Sequence, residues 1–290
     1  MKPHDRKVPL IAAILAFAVT LALVPSSCAD RFAEGAAEAG AIAAAMDAKT
    51  VAIRRGLLGV AEKGLEILSN PGAYASDLFP GRSFEFFKET VYHTPKDDGH
   101  GTLFSTGFVP VGPKEKARLK ALEHLSPHQK AFVESGPAGG LVSQTYFITA
   151  DSLFAFYPYA DLLSYIPPKR DIRTRGIWLR FTEGPQSGAA YHWAAPYVDT
   201  TGKGYVVDVT CPVRSGGEFV AVAGADITLN ALEAGLAARD DLNLILVEPA
   251  STQIIALSAA AERLFKVDNA DAFKYLRMIE SNTGLDSPVM

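Results

Sequence analysis

Six histidines are the first candidates for acid–base or metal chemistry: His4, His93, His100, His124, His128 and His192. His124 and His128 stand four apart, a spacing that puts two ligands on one helix face. Pro127 lies between them, and no Cys or carboxylate nearby completes a set. Asp97 and Asp98, beside His93 and His100, read as a polar loop tip. The 32 Asp and Glu residues include no pair that spacing sets apart as an acid/base couple. Gly-x-Ser-x-Gly, His-Glu-x-x-His and Gly-x-Gly-x-x-Gly are all absent. The Gly-rich stretch 135–140 lacks the Gly-Lys-Ser/Thr of a phosphate loop. Two cysteines exclude a disulfide-rich scaffold and a four-thiolate zinc site. Cys211, in Val209-Thr210-Cys211-Pro212-Val213, reads as a buried small hydrophobe rather than a reactive thiol. The expectation is no enzyme, no cofactor and no metal.

Composition narrows the partners. Lys and Arg number 28 against 32 acids, with no basic run, which argues against nucleic acid. With 290 residues, 48% hydrophobic and 21% charged, the chain suits one large or two small domains and is neither disordered nor a multi-pass membrane protein. Lys2, Arg6 and Lys7 precede an uncharged run from Val8 to Val24, the pattern of a secretory segment. Three readings stay open. Ser27 and Ala29 suit a signal-peptidase cut before Asp30. Ser26-Ser27-Cys28 is similar to a bacterial lipobox, with Cys28 as the lipid-bearing residue and Pro25 where an aliphatic one is usual. Residues 8–28 otherwise serve as an uncleaved anchor. Each puts the body outside the cytoplasm, in the periplasm or cell envelope, tethered or secreted.

Residues 30–70 lack Pro and space Ile42, Met46, Ile53, Leu57, Val60, Leu65 and Leu68 as one long amphipathic helix, stopped at Asn70-Pro71. At roughly 60 Å it outruns one small core, so it spans two stacked units or mediates a homodimer. Lys114–Glu134 has helical spacing interrupted at Ser126-Pro127. Residues 84–87 and 102–104 read equally as strands or turns. Leu141–Ile148 and Gly176–Phe181 read as strands, and Tyr205–Thr210 and Glu218–Ala223 as a hairpin about Gly216-Gly217. A helix then begins at Asp226-Ile227-Thr228, with Thr228 as N-cap. Residues 242–257 add a second hairpin.

The stretch Trp193 to Gly204, then Val206-Val207-Asp208-Val209-Thr210-Cys211-Pro212-Val213, the Gly-Gly turn and Phe219 to Leu232, resembles the core of the extracytoplasmic Cache family. The likeness is to the double Cache sensors of bacterial chemoreceptors and sensor kinases, with Tyr146–Ser152 and Tyr157–Asp161 resembling the first central strand and its loop. The resemblance implies an α+β fold: a long N-terminal helix plus a PAS-like central antiparallel sheet. Its divisions would be 1–28 signal or anchor, 29–71 helix, 72–235 membrane-distal ligand-binding domain and 236–290 a second, apparently truncated membrane-proximal module. In the amino-acid-binding subset, an Arg two before a Trp meets the ligand carboxylate. Here Trp178 is present, but Gly176 holds the Arg position, with Arg175 and Arg180 out of register. The ammonium-side positions match as Tyr197, Asp199 and Asp226. The resemblance thus implies a site of Asp199, Asp226, Tyr197, Trp193 and Trp178, with Arg175 beside it. Two carboxylates and aromatic faces suit a cation.

Plainer roles compete for the same residues: Asp226 stabilising a helix start, Asp199 making an ordinary turn, and the aromatics filling a core. The functional expectation is sensing of a small molecule, an amine or other small cation ahead of an amino acid or carboxylate, with output through a separate membrane-bound kinase or chemoreceptor. The alternatives are an envelope-anchored scaffold that binds no ligand and, last, a secreted hydrolase with a non-standard site.

Overall fold

The Ala-rich N-terminal stretch forms one helix, α1 (Ser27–Ser69), in a computed structural model of the chain. The structure describes residues 27–263, apart from 137–139, 184–187, 195, 200, 237–244, 248–253, 259 and 262. Residues 1–26 of the expected targeting segment 1–28, and the stretch beyond 263 expected to complete a second module, lie outside the described residues. Among those described, no helix is long and apolar enough to cross a membrane. Cys28 falls in the first turn of α1. Contacts divide the chain into two units: Lys49–Ala231, and Met1–Ala48 together with Leu232–Met290.

The unit Lys49–Ala231 is built on an antiparallel sheet. In chain order its strands are β1 (Glu85–Phe87), β2 (Val91–His93), β3 (Thr102–Ser105), β4 (Val142–Thr149), β5 (Leu153–Tyr157), β6 (His192–Trp193), β7 (Tyr197–Val198), β8 (Tyr205–Ser215) and β9 (Glu218–Thr228). Their order is β1-β2-β3-β5-β4-β9-β8-β6, with β7 also on β8. The undecided stretches 84–87 and 102–104 therefore contain strands, and β4, β9 and β8 lie side by side at the centre. The fold is α+β, as expected.

Successive residues of a strand point to opposite faces, so Gln144 of β4, Asp208 and Thr210 of β8 and Asp226 of β9 fall on one face. The other face, apolar apart from Thr145 and Thr149 of β4, lies against α1. Phe147 of β4 packs on α1 at Gly64, where a Cβ would overlap its ring. Ile53, Leu57, Val60 and Ile67 of α1 are buried, as are Val207, Val209, Cys211 and Val213 of β8. The stretch 114–134 forms α2 (Pro113–Ala121), a 3-10 turn Leu122–Leu125 and α3 (Ser126–Glu134), and Phe132 of α3 packs on α1 at Gly56. Pro127 sits in the first turn of α3, where a missing N–H costs nothing, so it starts a helix instead of spoiling one.

Two expectations need correction. Gly176–Phe181 is not a strand but most of a helix, α4 (Gly176–Thr182). Trp178 and Phe181, three apart, share its buried side and meet Phe219 of β9, Trp178 stacked at 4.0 Å between ring centres and Phe181 edge-on at 5.9 Å. The helix expected from Asp226 begins at Leu229 instead: α5 (Leu229–Leu236) follows β9, and Asp226 lies inside the strand. Thr228 is its N-cap, since the Ala231 N–H donates to Thr228 Oγ1 at 3.2 Å. The other unit contains the second hairpin, β10 (Ile245–Val247) with β11 (Ile254–Leu257).

Cys211 is buried in β8, and burial pushes its thiol up to about 12. At pH 8 its thiolate population is then about three decades below that of a free thiol. In a Cys28→Ala protein, an alkylating dye is expected to label Cys211 only after denaturation. Rapid labelling of the native protein would contradict this packing.

Candidate functional site

Two β-bulges decide which side chains meet. On β9, Val220 is an extra residue: Arg214 pairs with Phe219 but Val213 pairs with Ala221. Beyond this bulge Asp208 faces Asp226 directly across the ladder, and directly opposed residues share a face. On β4, Ser143 is extra between the Val142–Ile227 and Gln144–Asp226 pairs, and its hydroxyl donates to Asp226 O at 3.0 Å. The row Gln144–Asp226–Asp208 thus crosses three strands on the face away from α1. A third irregularity lies on the edge. Pairing steps from Val209 to Val206 on β8 while the partner steps from Trp193 to Tyr197. The break falls opposite Asp208, whose carbonyl accepts the Ala194 N–H at 2.9 Å.

Gln144, Asp226 and Asp208 are buried, the two acids at 1% and 2% exposure. Gln144 Nε2 donates to Asp226 Oδ2 at 2.7 Å, and the Tyr197 hydroxyl meets Asp226 Oδ1 at 3.4 Å. Tyr146 crosses from β4 over Gly224 and donates its hydroxyl to Asp208 Oδ2 at 3.2 Å. Among the described residues, Arg180 of α4 supplies the one cation of the cluster. Its Nη1 lies 3.2 Å from Asp208 Oδ1, 3.2 Å from Thr210 Oγ1 and 3.0 Å from His192 Nδ1. Asp199, 7% exposed, follows β7. It accepts the Lys203 N–H at 3.1 Å and the Thr201 hydroxyl, which also lies 3.1 Å from Gln144 Oε1. Gln144 and Thr201 therefore link Asp199 to Asp226.

Three carboxylates against one guanidinium leave an excess of negative charge in low dielectric. Burial, and then the neighbouring Asp208 and Asp199, push the Asp226 carboxyl well above the ordinary carboxylate range, against the hydrogen bonds from Gln144 and Tyr197. Burial and the acids raise Tyr146 and Tyr197, which remain protonated donors. Burial and then Arg180 lower His192, so its ring stays neutral. Nδ1 then accepts from Arg180, which puts the ring proton on Nε2. Among the described residues no three His, Cys, Asp or Glu side chains group to hold a metal ion. The cluster suits a positively charged organic group that brings its own hydrogen-bond donors.

The structure brings Tyr197, Asp199 and Asp226 together. Tyr197 is 37% exposed overall, yet its hydroxyl turns in to Asp226. Asp199 also fills the turn role, and Gly202 after it has φ +86°. Trp193 pairs with Val209, so the register puts it on the α1 face, away from the acids. Trp178 lies in an apolar cluster with Tyr146, Ile148, Phe181 and Val222, where it is a core aromatic. Arg175 is exposed at the start of α4. The sequence reading missed Asp208, Gln144 and Tyr146, gave His192 no place in this site and left Arg180 out of register. The available signal was a lone polar residue inside each apolar run, as in Val207-Asp208-Val209 and Ala225-Asp226-Ile227.

No family model matches the chain, and no curated protein does. Solved structures similar to it are ligand-binding domains of chemoreceptors. That of Pseudomonas fluorescens CtaA, in complex with L-serine, is 20% identical with a TM-score of 0.33, over 48% of this chain and 65% of that one. That of Pseudomonas aeruginosa PctB, with L-Gln, is 21% identical with a TM-score of 0.34, over 52% and 55%. That of Pseudomonas aeruginosa PctC, with GABA, is 26% identical with a TM-score of 0.32, over 43% and 53%. This chain therefore spans between about half and just under two thirds of those domains. They are the kind of sensor domain that the sequence resembles.

Proposed function

We propose that this chain is an extracytoplasmic binding module of the Cache type that captures a small amine-bearing molecule and passes the signal to a separate membrane partner. The observation that carries the reading is the pair of buried carboxylates opposed across β8 and β9, with Asp199 beside them and, among the described residues, Arg180 alone to offset the three. Unpaired buried charge is unfavourable, and an ammonium group relieves it through charge-assisted hydrogen bonds. Asp226 and Asp199 are the acids left for the ligand, Gln144 and Thr201 orient them, and Tyr197 closes the edge. The positive N-terminus and the uncharged run Val8–Val24 support a location outside the cytoplasm, with tethering through residues 8–28.

A thermal-shift series with butylamine, 1,4-diaminobutane and butanoate tests the ligand class. At a hundred times Kd, a ligand stabilises the fold by about 2.7 kcal/mol, which is a Tm rise of roughly 5–10 °C. The expected result is a rise with both amines and none with butanoate. A rise with butanoate alone overturns the amine reading, and no rise with either class favours the scaffold reading.

A further inference from the structure

The one cation in the acid cluster is already taken. Arg180 reaches the sheet from α4 and is held at four points: Gly176 O at 3.1 Å by Nε, and Asp208, Thr210 and His192 by Nη1. Of these only Asp208 carries a full negative charge, and its carboxylate is almost wholly buried. Its other oxygen is held by the Tyr146 hydroxyl, so it is not free to turn away. A guanidinium so fixed is the natural anchor for a ligand carboxylate, since it presents two parallel donors. Here the protein's own carboxylate occupies it first. Any ligand carboxylate approaching Arg180 also enters the field of Asp208 and Asp199, where like charge repels it.

We infer that Asp208 sets the ligand class: by neutralising Arg180 in place, it makes the site accept amines and reject molecules that carry a carboxylate near the ammonium. This rests on the amine reading of the site. Asp208 acts through Arg180 and is in that sense a specificity-determining residue rather than a ligand contact. The mechanism makes a directional demand. Asp208→Asn keeps the size of the side chain and a carbonyl to accept from Tyr146. It removes the charge and turns an NH2 group toward Arg180, donor against donor. Thr210, His192 and Gly176 still hold the guanidinium in the site. The result is a fixed, unneutralised guanidinium beside Asp226, the pairing that a molecule with one ammonium and one carboxylate requires.

Calorimetry on the purified protein with butylamine and 4-aminobutanoate, two probes of the same chain length, reads this directly. The wild type is expected to bind butylamine and to give no heat with 4-aminobutanoate. Asp208→Asn is expected to bind 4-aminobutanoate at least tenfold more tightly than the wild type does, and Asp208→Asn/Arg180→Gln to lose that gain. A merely structural role for Asp208 would weaken both probes and reverse neither preference. If Asp208→Asn still binds butylamine and still excludes 4-aminobutanoate, the inference is overturned and the amine reading stands. If the wild type binds 4-aminobutanoate as well as the variant does, the inference is overturned too. If the wild type binds neither probe and the variant gains 4-aminobutanoate through Arg180, the amine reading falls and the inference falls with it, leaving Asp208 only as a block to carboxylates. Binding of neither probe by either protein overturns both.

Discussion

Asp226→Asn is expected to make the ligand-free protein more stable at neutral pH while weakening amine binding ten- to a hundredfold. The two effects have one cause. Asp226 is buried opposite Asp208, and its carboxyl is pushed well above the ordinary value of 3.8, by burial first and the neighbouring acids second. A carboxyl whose folded pKa is raised holds a proton that the unfolded chain releases. Its contribution to stability is therefore present at low pH and is lost as pH rises from about 3.8 through the folded value. At pH 7 the ligand-free wild type must either keep that proton or bury the charge, and both cost free energy. Asn has nothing to ionise. Its carbonyl can accept from Gln144 and its NH2 can donate to the Tyr197 hydroxyl, so both contacts survive. A gain on the order of 1 kcal/mol, or about 2–4 °C in Tm, is expected near pH 7, shrinking toward pH 4. For the ligand the sign reverses. A charge-assisted hydrogen bond to an ammonium is worth about 1.5–3 kcal/mol, hence one to two decades in Kd. Because the raised pKa makes a proton compete with the amine for the Asp226 carboxylate, affinity in the wild type is expected to rise with pH. Thermal melts from pH 4 to 8 and calorimetry across the same range check both halves. A variant that is less stable at pH 7 and binds as well as the wild type would make Asp226 an ordinary structural acid.

The parts of the molecule that were legible in the sequence are those fixed by local pattern. The long helix, the hairpin about Gly216-Gly217 and the cap at Thr228 follow from periodicity, turn residues and a side-chain oxygen next to a helix start. Tyr197, Asp199 and Asp226 were reached through family likeness, and the structure gathers them. The missed parts depend on register. Counting back from the Gly-Gly turn without a bulge pairs Asp208 with Ala225, and a slip of one residue sends a side chain to the other face. Only the extra residue Val220 puts Asp208 and Asp226 on the same face, and nothing in Glu218–Ala223 announces it. The irregularity before Tyr197 hides Trp193 in the same way, on the face toward α1. Arg180 was undervalued because Gly176–Phe181 is too short for alternation and helical spacing to be told apart. Read as a strand, it gave no reason for Trp178 and Arg180 to part. As a helix, it sends Trp178 into the apolar cluster and Arg180 to the acids.

Gly224→Ala is expected to cause the largest loss, in both stability and binding, from the smallest change. Gly224 lies in β9 with Tyr146 on one side and Thr210 on the other, all on the acid-bearing face. The Tyr146 ring lies directly over it, and a Cβ there would overlap Cζ, Cε2 and the hydroxyl. The glycine is needed for space, not for an unusual backbone angle. It opens the path by which a side chain rooted on β4 reaches Asp208 on β8. A methyl group has nowhere to go, because β9 is paired on both edges and the Tyr146 ring already packs at 5.3 Å from Phe156. Overpacking a core in this way costs about 1–3 kcal/mol, and displacing the ring also strips Asp208 of its buried hydrogen bond, for about 1–3 kcal/mol more. Together these amount to a Tm fall of roughly 5–15 °C. A double-mutant cycle separates space from backbone effects. In a Tyr146→Leu protein the ring is gone, so adding Gly224→Ala is expected to cost far less than it does in the wild type. Tyr146→Phe, which keeps the ring and drops only the hydroxyl, is expected to give no such relief. If Gly224→Ala costs the same whether residue 146 is Tyr or Leu, the glycine acts through the strand itself. The route by which Tyr146 reaches Asp208 would then have to be drawn differently.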